Sequence, residues 1–245
     1  MDRDSVAAAA KAAIGQAKAK GEDIAPIMAE VENLKAELAT SETALSELQG
    51  KMEALLAATL GLDVSSRIAL AATVDRGWHR TAAMGVFGAT AAASRLLRLD
   101  AARVEHALGI ALSQAAGTRQ CIDDGALTKR FQAGQAASAG VLSAVLAAEG
   151  FTGAQGVFTG RYGFLPMYQP GRIDVNAMLS GLGTTWQGDQ VSLKPYPCFR
   201  PSHPAIDAAI ALRGELGIHN DTPIASVTLE TDVRCYADQF EGGVH

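Results

Sequence analysis

The sequence predicts a mainly α-helical protein: an antiparallel coiled-coil hairpin, then an all-helical domain, then the start of a small α+β unit. Three patterns carry this prediction, namely an apolar heptad repeat over 27–55, a charge-free run over 131–148 and an apolar–polar alternation over 224–235. The first two patterns are typical of helices and the third of a β-strand. The predicted domains are residues 1–58, 59–188 and 189–245.

The hairpin rests on a repeat with alternating steps of four and three residues, broken only by Ser41. Its apolar members are Ile27, Val31, Leu34, Leu38, Leu45, Leu48, Met52 and Leu55. A repeat sustained for about four heptads is typical of a coiled coil. The segment KGED at 20–23 predicts the turn, and Asp23 is the candidate N-cap of the second helix. Because the first arm is the shorter one, part of the seam is expected to need another partner.

The helical domain is expected to consist of closely packed helices. Residues 55–74 predict a buried helix pair, or one helix kinked around Gly61, and residues 81–97 predict a further helix. Small residues at Gly85 and Gly88 favour close helix approach in that second segment. Asp100 is the candidate N-cap of the next helix. A short helix over 172–183 and an amphipathic helix after residue 203 complete the predicted helices.

A charge pattern marks the beginning of the charge-free helix. Lys129 and Arg130 directly precede it, although cations are unfavourable at the positive end of a helix dipole. One interpretation is a bound anion, such as a substrate carboxylate. The alternative is that Asp123 and Asp124 fold back and neutralise the pair, and charge placement alone slightly favours this alternative. The apolar character of 131–148 further predicts a helix packed on most sides.

Composition limits the classes of function. The chain has 245 residues, of which 48% are hydrophobic and 5% aromatic, and its net charge is −5. This charge argues against a nucleic-acid binder held by bulk electrostatics. The polar start MDRDS predicts no signal peptide, and three cysteines without a CxxC motif predict reduced thiols, so we expect a cytoplasmic protein without a membrane span.

Three further basic residues lie near helix starts or in turns. His79 and His203 each precede a predicted helix, and Lys194 is followed by Pro195 and Pro197, which constrain the backbone there. A histidine at a helix N-terminus can remain neutral and serve as a donor or base near pH 7. Taken singly, each is also explained as a turn residue or a solvated lysine. No spacing in the chain matches a zinc site, a phosphate loop or a nucleophile elbow, so no metal or cofactor is predicted.

The segment IGQAKAKGEDIAPIMAEV and the heptads that follow it resemble the N-terminal arm of seryl-tRNA synthetases. This resemblance implies a tRNA-binding arm. Residues 1–58, however, hold six Lys or Arg against ten Asp or Glu, and an acidic arm is a poor binder of phosphates. A hairpin used for packing or self-association, giving a homo-oligomer, is therefore the favoured interpretation over tRNA binding.

Four phrases, in order, resemble the MmgE/PrpD family, which includes 2-methylcitrate dehydratase and cis-aconitate decarboxylase. They are RGWHRTAAMGVFGATAAASRLL, HALGIALSQAAG, DDGALTKRFQAGQAASAG and LKPYPCFRPSHPAIDAA. The resemblance implies a helical domain with an α+β lid, and a cleft between them that binds a di- or tricarboxylate without a metal or an iron–sulfur cluster. By this resemblance His79, Lys129, Lys194 and His203 form the catalytic set.

The resemblance also identifies secondary positions and departures. Arg130 and Cys198 are the implied substrate-binding residues, and some family members carry a histidine where this chain has Cys198. The family's Asp-rich motif ending in Asp-Asp-Thr-His, an acid/base group, has no match here, and the hairpin stands in its place. General acid–base catalysis contributes about 10²–10⁴-fold. The chain is thus expected to be a lyase fragment, with the ends of the family pattern missing and its dehydration or decarboxylation impaired.

Overall fold

A computed structural model describes residues 3–21, 23–169 and 173–229, and the mainly α fold class is confirmed there. The chain divides into two units, residues 1–56 and 57–245. Their α-helices are α1 (Arg3–Lys20), α2 (Ala25–Ala71), α3 (Arg80–Ala83), α4 (Gly85–Leu96), α5 (Ala101–Leu112), α6 (Gln120–Asp123), α7 (Thr128–Ala148), α8 (Phe164–Tyr168), α9 (Val175–Leu179) and α10 (His203–Glu215). Two short 3-10 turns cover Gln187–Gln190 and Arg200–Ser202.

The hairpin of the first unit follows the predicted local signals. Gly21 ends α1 with a φ of +71°, a backbone conformation that glycine adopts without strain. The Asp23 carboxylate then accepts a hydrogen bond of 3.0 Å from the Ala25 N–H at the start of α2. Ala17 of α1 and Val31 of α2 are both buried. The predicted turn and cap are therefore confirmed.

The distal part of the seam is exposed, as the unequal arm lengths predict. Leu45, Leu48, Met52 and Leu55 expose between 57% and 69% of their surface, whereas Val31 exposes 8%. A groove between the two helices, lined by Ala9 and Ala13 on one side, extends along α2 only as far as Ser41. Beyond Ser41 the apolar stripe faces solvent in the described structure.

Of the two alternatives for residues 55–74, the pair of separate helices is wrong, because α2 runs without interruption through Gly61 to Ala71. Gly61 serves close packing instead. A Cβ atom at Gly61 would lie 2.5 Å from the carbonyl oxygen of Gly88 on α4. Side-chain-free positions on both helices allow their backbones to touch, which is the role predicted for Gly88 but not for Gly61.

Helices α4, α5 and α7 form the centre of the second unit. The segment predicted as one helix over 81–97 is divided at Met84 into α3 and α4. Gly140 of α7 lies against α4 so closely that a Cβ there would approach the Ala89 Cβ to 2.4 Å. The predicted cap of α5 is confirmed, since the Asp100 carboxylate accepts from the Arg103 N–H at 2.9 Å.

Five of the chain's thirteen aromatic residues pack together in the core of the second unit. Phe87 is fully buried and makes edge contacts with Phe158 and Phe164, with ring centroids 5.1 and 5.0 Å apart. The Tyr168 ring stacks on Phe164 at 4.5 Å and contacts Trp78 at 4.4 Å. This cluster fixes the segment that leads into α3, where one candidate site residue lies.

Helix α7 differs from its prediction in two respects. It begins at Thr128, so Lys129 and Arg130 lie within its first turn instead of before it. It is also packed on one side only, because Phe131 and Val141 expose 65% and 51% of their surface. The buried side is made of small residues that fit closely against α4 and α5. Because the exposed side of α7 beyond its first turn carries no charged residues either, the sequence does not distinguish the two sides.

A buried ion pair joins α2 to the segment after α9. The Arg67 Nε lies 2.6 Å from an Asp63 carboxylate oxygen, and both side chains are less than 5% exposed. The Arg67 guanidinium also donates to the carbonyl oxygens of Met178, Ser180, Gly181 and Thr185. The second Asp63 oxygen accepts from the Gln187 N–H at 2.7 Å. These contacts explain how a segment with little regular structure is held on the helical body.

The C-terminal segment contains helix but no strand within its described part. Helix α9 occupies Val175–Leu179, inside the predicted range 172–183, and α10 begins at His203 as expected. Residues 224–229 of the predicted strand are irregular, and the remaining residues 230–235 lie outside the described residues. A strand needs hydrogen bonds from a neighbouring strand, and the described part of the chain contains no strand that could supply them.

Two helices, Ala25–Ala71 and Thr128–Ala148, are long and apolar enough to cross a membrane by length and composition. Core helices of soluble proteins pass the same test. The finding is therefore weak evidence for a membrane span, and the predicted absence of one stays a prediction.

Candidate functional site

A cavity of about 1050 Å³ in the second unit collects polar residues from three parts of the chain. Its walls come from residues 75–81, from several residues within 118–123, and from Lys129 and Phe199. His79 and Lys129, two of the four predicted catalytic residues, therefore line one cavity. Fifty positions separate them along the sequence, so this convergence is a property of the fold.

Two backbone segments pair to form the wall that carries His79. Trp78 and Thr118 form an isolated antiparallel bridge. The His79 N–H donates to the Gly117 carbonyl at 3.0 Å, and the Arg119 N–H donates to the Gly77 carbonyl at 2.8 Å. Gly117 has a φ of +105°, and a Cβ there would approach the Ala82 Cβ to 2.7 Å. The bridge thus depends on glycine at this position.

The His79 side chain is held by an amide from α7. Its Nδ1 lies 2.6 Å from the Gln132 Oε1, and the Gln132 Nε2 donates to the Thr118 carbonyl at 3.0 Å. Histidine, glutamine and the backbone bridge therefore form one connected network beside the cavity. His79 is half-buried and lines the cavity, and no described protein group forms a hydrogen bond with its second nitrogen.

The cavity wall is more basic than the chain as a whole. Four cationic side chains line it, against two carboxylates, whereas the whole chain has a net charge of −5. The cations are Arg76, Arg80, Arg119 and Lys129. Arg119 forms an ion pair of 3.0 Å with Asp75, both partly exposed. Within the described ranges, no ion pair engages Arg76 or Lys129, so these two charges are available to an anion.

The alternative in which Asp123 and Asp124 neutralise Lys129 and Arg130 is not what the structure shows. Asp124 accepts a hydrogen bond of 2.9 Å from Gln120, and Asp123 lines the cavity. Neither carboxylate forms an ion pair with the two cations in the described part of the chain. The two aspartates instead end α6 and begin the turn into α7.

The other predicted site residues lie outside the cavity wall. Lys194 is exposed, and Arg130 is exposed beside Lys129 on the first turn of α7. His203 is buried under the edge of Tyr196, with ring centroids 5.2 Å apart, and its Nε2 has no hydrogen-bond partner among the described residues. Cys198 is half-buried. Its neighbour Phe199 is the residue of this segment that reaches the cavity.

The segment around His203 has its own hydrogen bond. The Tyr196 hydroxyl donates to the Asp207 carboxylate at 2.5 Å. This hydrogen bond is the main cause that raises the pKa of Tyr196 above its usual value. The raised pKa keeps the phenol protonated to a higher pH than an ordinary tyrosine, and the hydrogen bond joins the turn at residues 195–197 to α10.

Sequence reasoning missed several residues of the cavity. Arg76 and Arg80 flank the predicted His79 within five positions, so their proximity was a usable local signal. Arg119 and Gln132 had no such signal, because they approach His79 only through the backbone bridge and the packing of α7. In the described residues, no group of three or more His, Cys, Asp or Glu is arranged to hold a metal ion.

Most of the chain is similar in sequence to one protein family. A family model described as the MmgE/PrpD N-terminal domain matches residues 19–175. The matched range begins inside the hairpin, earlier than the resemblance over 55–235 suggested. It includes His79 and Lys129 and ends before Lys194 and His203.

Three curated relatives are cis-aconitate decarboxylases or similar to one. The enzyme of Aspergillus terreus is 34% identical over 195 residues, which are 74% of this chain and 39% of the relative. The cis-aconitate decarboxylase-like protein oryM of Aspergillus oryzae is 32% identical over 64% of this chain and 34% of its own length. The human enzyme is 29% identical over 67% of this chain and 35% of its own. The chain thus spans well under half the length of these relatives.

Short matches to a second class of protein are confined to about 18% of the chain. The serine–tRNA ligase of Saccharophagus degradans is 58% identical over 45 residues, or 11% of its length. That of Stenotrophomonas maltophilia is 63% identical over 43 residues, or 10% of its length. These matches confirm the resemblance to seryl-tRNA synthetases as a partial one.

Proposed function

Because the chain belongs to the MmgE/PrpD family, we propose that it is part of a lyase that acts on a di- or tricarboxylate in the cavity beside His79. Cis-aconitate is the first substrate to test, since the relatives are named cis-aconitate decarboxylases. Dehydration of 2-methylcitrate, the reaction expected from the sequence, is the second. Lys194, His203, Arg130 and Cys198 remain proposed site residues, although they lie outside the cavity wall in this structure.

The observation that carries this proposal is the excess of positive charge in the cavity. Arg76 and Lys129 lack ion-pair partners in the described part of the chain, and both line the same cavity as His79. A carboxylate gains charge-assisted hydrogen bonds from such groups, and these are roughly twice as strong as neutral ones. A substrate with two or three carboxylates can engage several of these cations at once.

The same arrangement suits the chemistry of both reactions. Loss of carbon dioxide or of a proton leaves an electron pair on carbon next to a carboxylate, and cations that hold this carboxylate stabilise the charge that develops. His79 is the proposed proton-transfer group, because it lines the cavity and an imidazole can both accept and donate a proton. Lys129 and Arg76 are proposed to bind the carboxylates.

We expect weak turnover from this chain, because the acid/base motif expected of the family has no match in the sequence. The purified chain at high concentration is incubated with cis-aconitate or 2-methylcitrate, and released carbon dioxide or the dehydration product is measured. Rapid turnover would contradict the proposed loss of an acid/base group. It would leave the proposed binding site unaffected.

Binding is tested separately with tricarballylate, a saturated tricarboxylate that carries no double bond and no hydroxyl group. We expect Lys129→Met to weaken its binding about tenfold, and added salt to weaken binding to the wild type, because the site is partly exposed. Lys51→Met is the matched control, since Lys51 is an exposed lysine on the hairpin. Equal affinities of Lys129→Met and wild type would contradict the proposed site.

Self-association through the hairpin is a second proposed function, favoured by the exposed half of the heptad seam. The stripe from Leu45 to Leu55 covers eleven residues, or about 16 Å of helix. Two copies can cover identical stripes with an isologous interface. In sedimentation experiments we expect the wild type to be a dimer and the double variant Leu48→Glu with Met52→Glu to be a monomer. A wild-type chain that is monomeric at all concentrations tested would contradict this proposal.

A further inference from the structure

We infer that Gln132 is a positioning residue that holds neutral His79 in the tautomer with its proton on Nδ1 and the lone pair on Nε2. The Gln132 amide makes two hydrogen bonds, one at its nitrogen and one at its oxygen. Its nitrogen lies 3.0 Å from the Thr118 carbonyl oxygen, which can only accept. The NH₂ group must therefore face Thr118, and the amide oxygen faces His79.

The orientation of the amide decides the protonation of the ring. The Gln132 Oε1 lies 2.6 Å from the His79 Nδ1. An amide oxygen has no proton to donate, so the hydrogen bond forms only when Nδ1 carries one. In the neutral imidazole the remaining nitrogen, Nε2, then holds the lone pair. Within the described residues no protein group bonds to Nε2, so it is the nitrogen presented to a ligand.

The carbonyl that orients Gln132 is itself fixed. Thr118 lies in the backbone bridge with Trp78, between the hydrogen bonds made by His79 and Arg119. The glycine before it lets the amide approach the bridge closely, because a Cβ at Gly117 would lie 3.2 Å from the Gln132 Oε1. A flipped amide would turn its oxygen toward the Thr118 carbonyl oxygen, and because both are acceptors this hydrogen bond would be lost. The Thr118 carbonyl thus orients the Gln132 amide, and the amide oxygen in turn favours a proton on His79 Nδ1.

The consequence for chemistry rests on the proposed function. A base needs its lone pair on the side of the substrate, and Nε2 is that nitrogen in this tautomer. When Nε2 accepts a proton, Nδ1 keeps its own, so the Gln132 oxygen accepts a hydrogen bond in both charge states. Gln132 therefore supports the ring before and after proton transfer without taking a proton itself.

The test is the tautomer of His79 in the full-length chain, read from nitrogen-15 NMR of labelled histidines at a pH where the ring is neutral. The His79 signal is assigned by its loss in His79→Gln. We expect the wild type to show Nδ1–H, and Gln132→Leu to shift the tautomer ratio about tenfold toward Nε2–H, the equivalent of ~1.4 kcal/mol. Gln135→Leu, the same change at an exposed position of the same helix, should leave the ratio unchanged.

A second variant keeps the inference testable if Gln132→Leu does not fold. Gln132→Glu retains an acceptor for Nδ1, so it should preserve the Nδ1–H signal. A wild type with Nε2–H overturns the inference, and so does an unchanged ratio in Gln132→Leu or a lost Nδ1–H signal in folded Gln132→Glu. An Nδ1–H tautomer in a chain that binds no tricarboxylate would support the inference and contradict the proposed function.

Discussion

Removal of the buried guanidinium of Arg67 is expected to be the most damaging single change outside the cavity. Arg67→Met keeps an apolar side chain of similar length but deletes every charged contact. Asp63, which is 4% exposed, then keeps one hydrogen bond from the Gln187 N–H. The carbonyl oxygens of Met178, Ser180, Gly181 and Thr185 lose their shared donor.

The expected cost follows from the uncompensated buried charge. Breaking a buried ion pair by deleting one partner costs about 3–5 kcal/mol, out of the roughly 5–15 kcal/mol that stabilises a typical domain. With a urea m-value of about 2 kcal/mol/M, the unfolding midpoint should fall by about 2 M. Both tryptophans, Trp78 and Trp186, lie in the second unit. Tryptophan fluorescence therefore reports the unfolding of that unit.

Two further variants separate charge from packing. Arg95→Met removes an exposed arginine at the end of α4 and should change the free energy of unfolding by less than about 0.5 kcal/mol. The double variant Asp63→Asn with Arg67→Met removes both charges and should be more stable than Arg67→Met alone. A midpoint for Arg67→Met within the error of the wild type would refute the assigned role of this ion pair.

Two other predictions concern packing and pH. Gly61→Ala should destabilise the chain by about 1–3 kcal/mol, because its Cβ would lie 2.5 Å from the Gly88 carbonyl oxygen. Gly50 lies in the same helix, but a Cβ there would meet no atom within 4 Å, so Gly50→Ala should stabilise the chain by about 0.5–1 kcal/mol. Equal denaturation midpoints for the two variants would refute the close contact. Burial raises the pKa of Tyr168 above its ordinary value, so its stabilising contribution is complete below about pH 10 and is lost as the pH rises through the folded-state pKa. The stability advantage of the wild type over Tyr168→Phe should therefore shrink above pH 10 in urea titrations, and a constant difference would contradict this.

The features that could be predicted from sequence are those whose signals are local. Gly21 and Asp23 specify the hairpin turn within three residues, and the heptad repeat specifies which face of α2 is apolar. The cap at Asp100 is equally local. His79 and Lys129 stand out by their positions at predicted helix starts, the resemblance implies a catalytic role for both, and both residues line one cavity.

The features that could not be predicted depend on partners distant in sequence. Gly61 resembles a helix break until Gly88 is known to lie against it. Arg67 has the pattern of an ordinary charged helix residue, yet its carbonyl partners come more than one hundred positions later. Gln132 interrupts an apolar run without any local sign that its amide faces His79.

The most direct test of the account is to map where a tricarboxylate binds. The labelled chain is titrated with tricarballylate, and backbone amide shifts are followed by NMR. We expect saturable shifts at residues 75–81 and 118–123 and at Lys129, with none along the hairpin. Saturable shifts confined to other parts of the chain, or no shifts at millimolar ligand, would contradict the claim that this cavity binds organic acids.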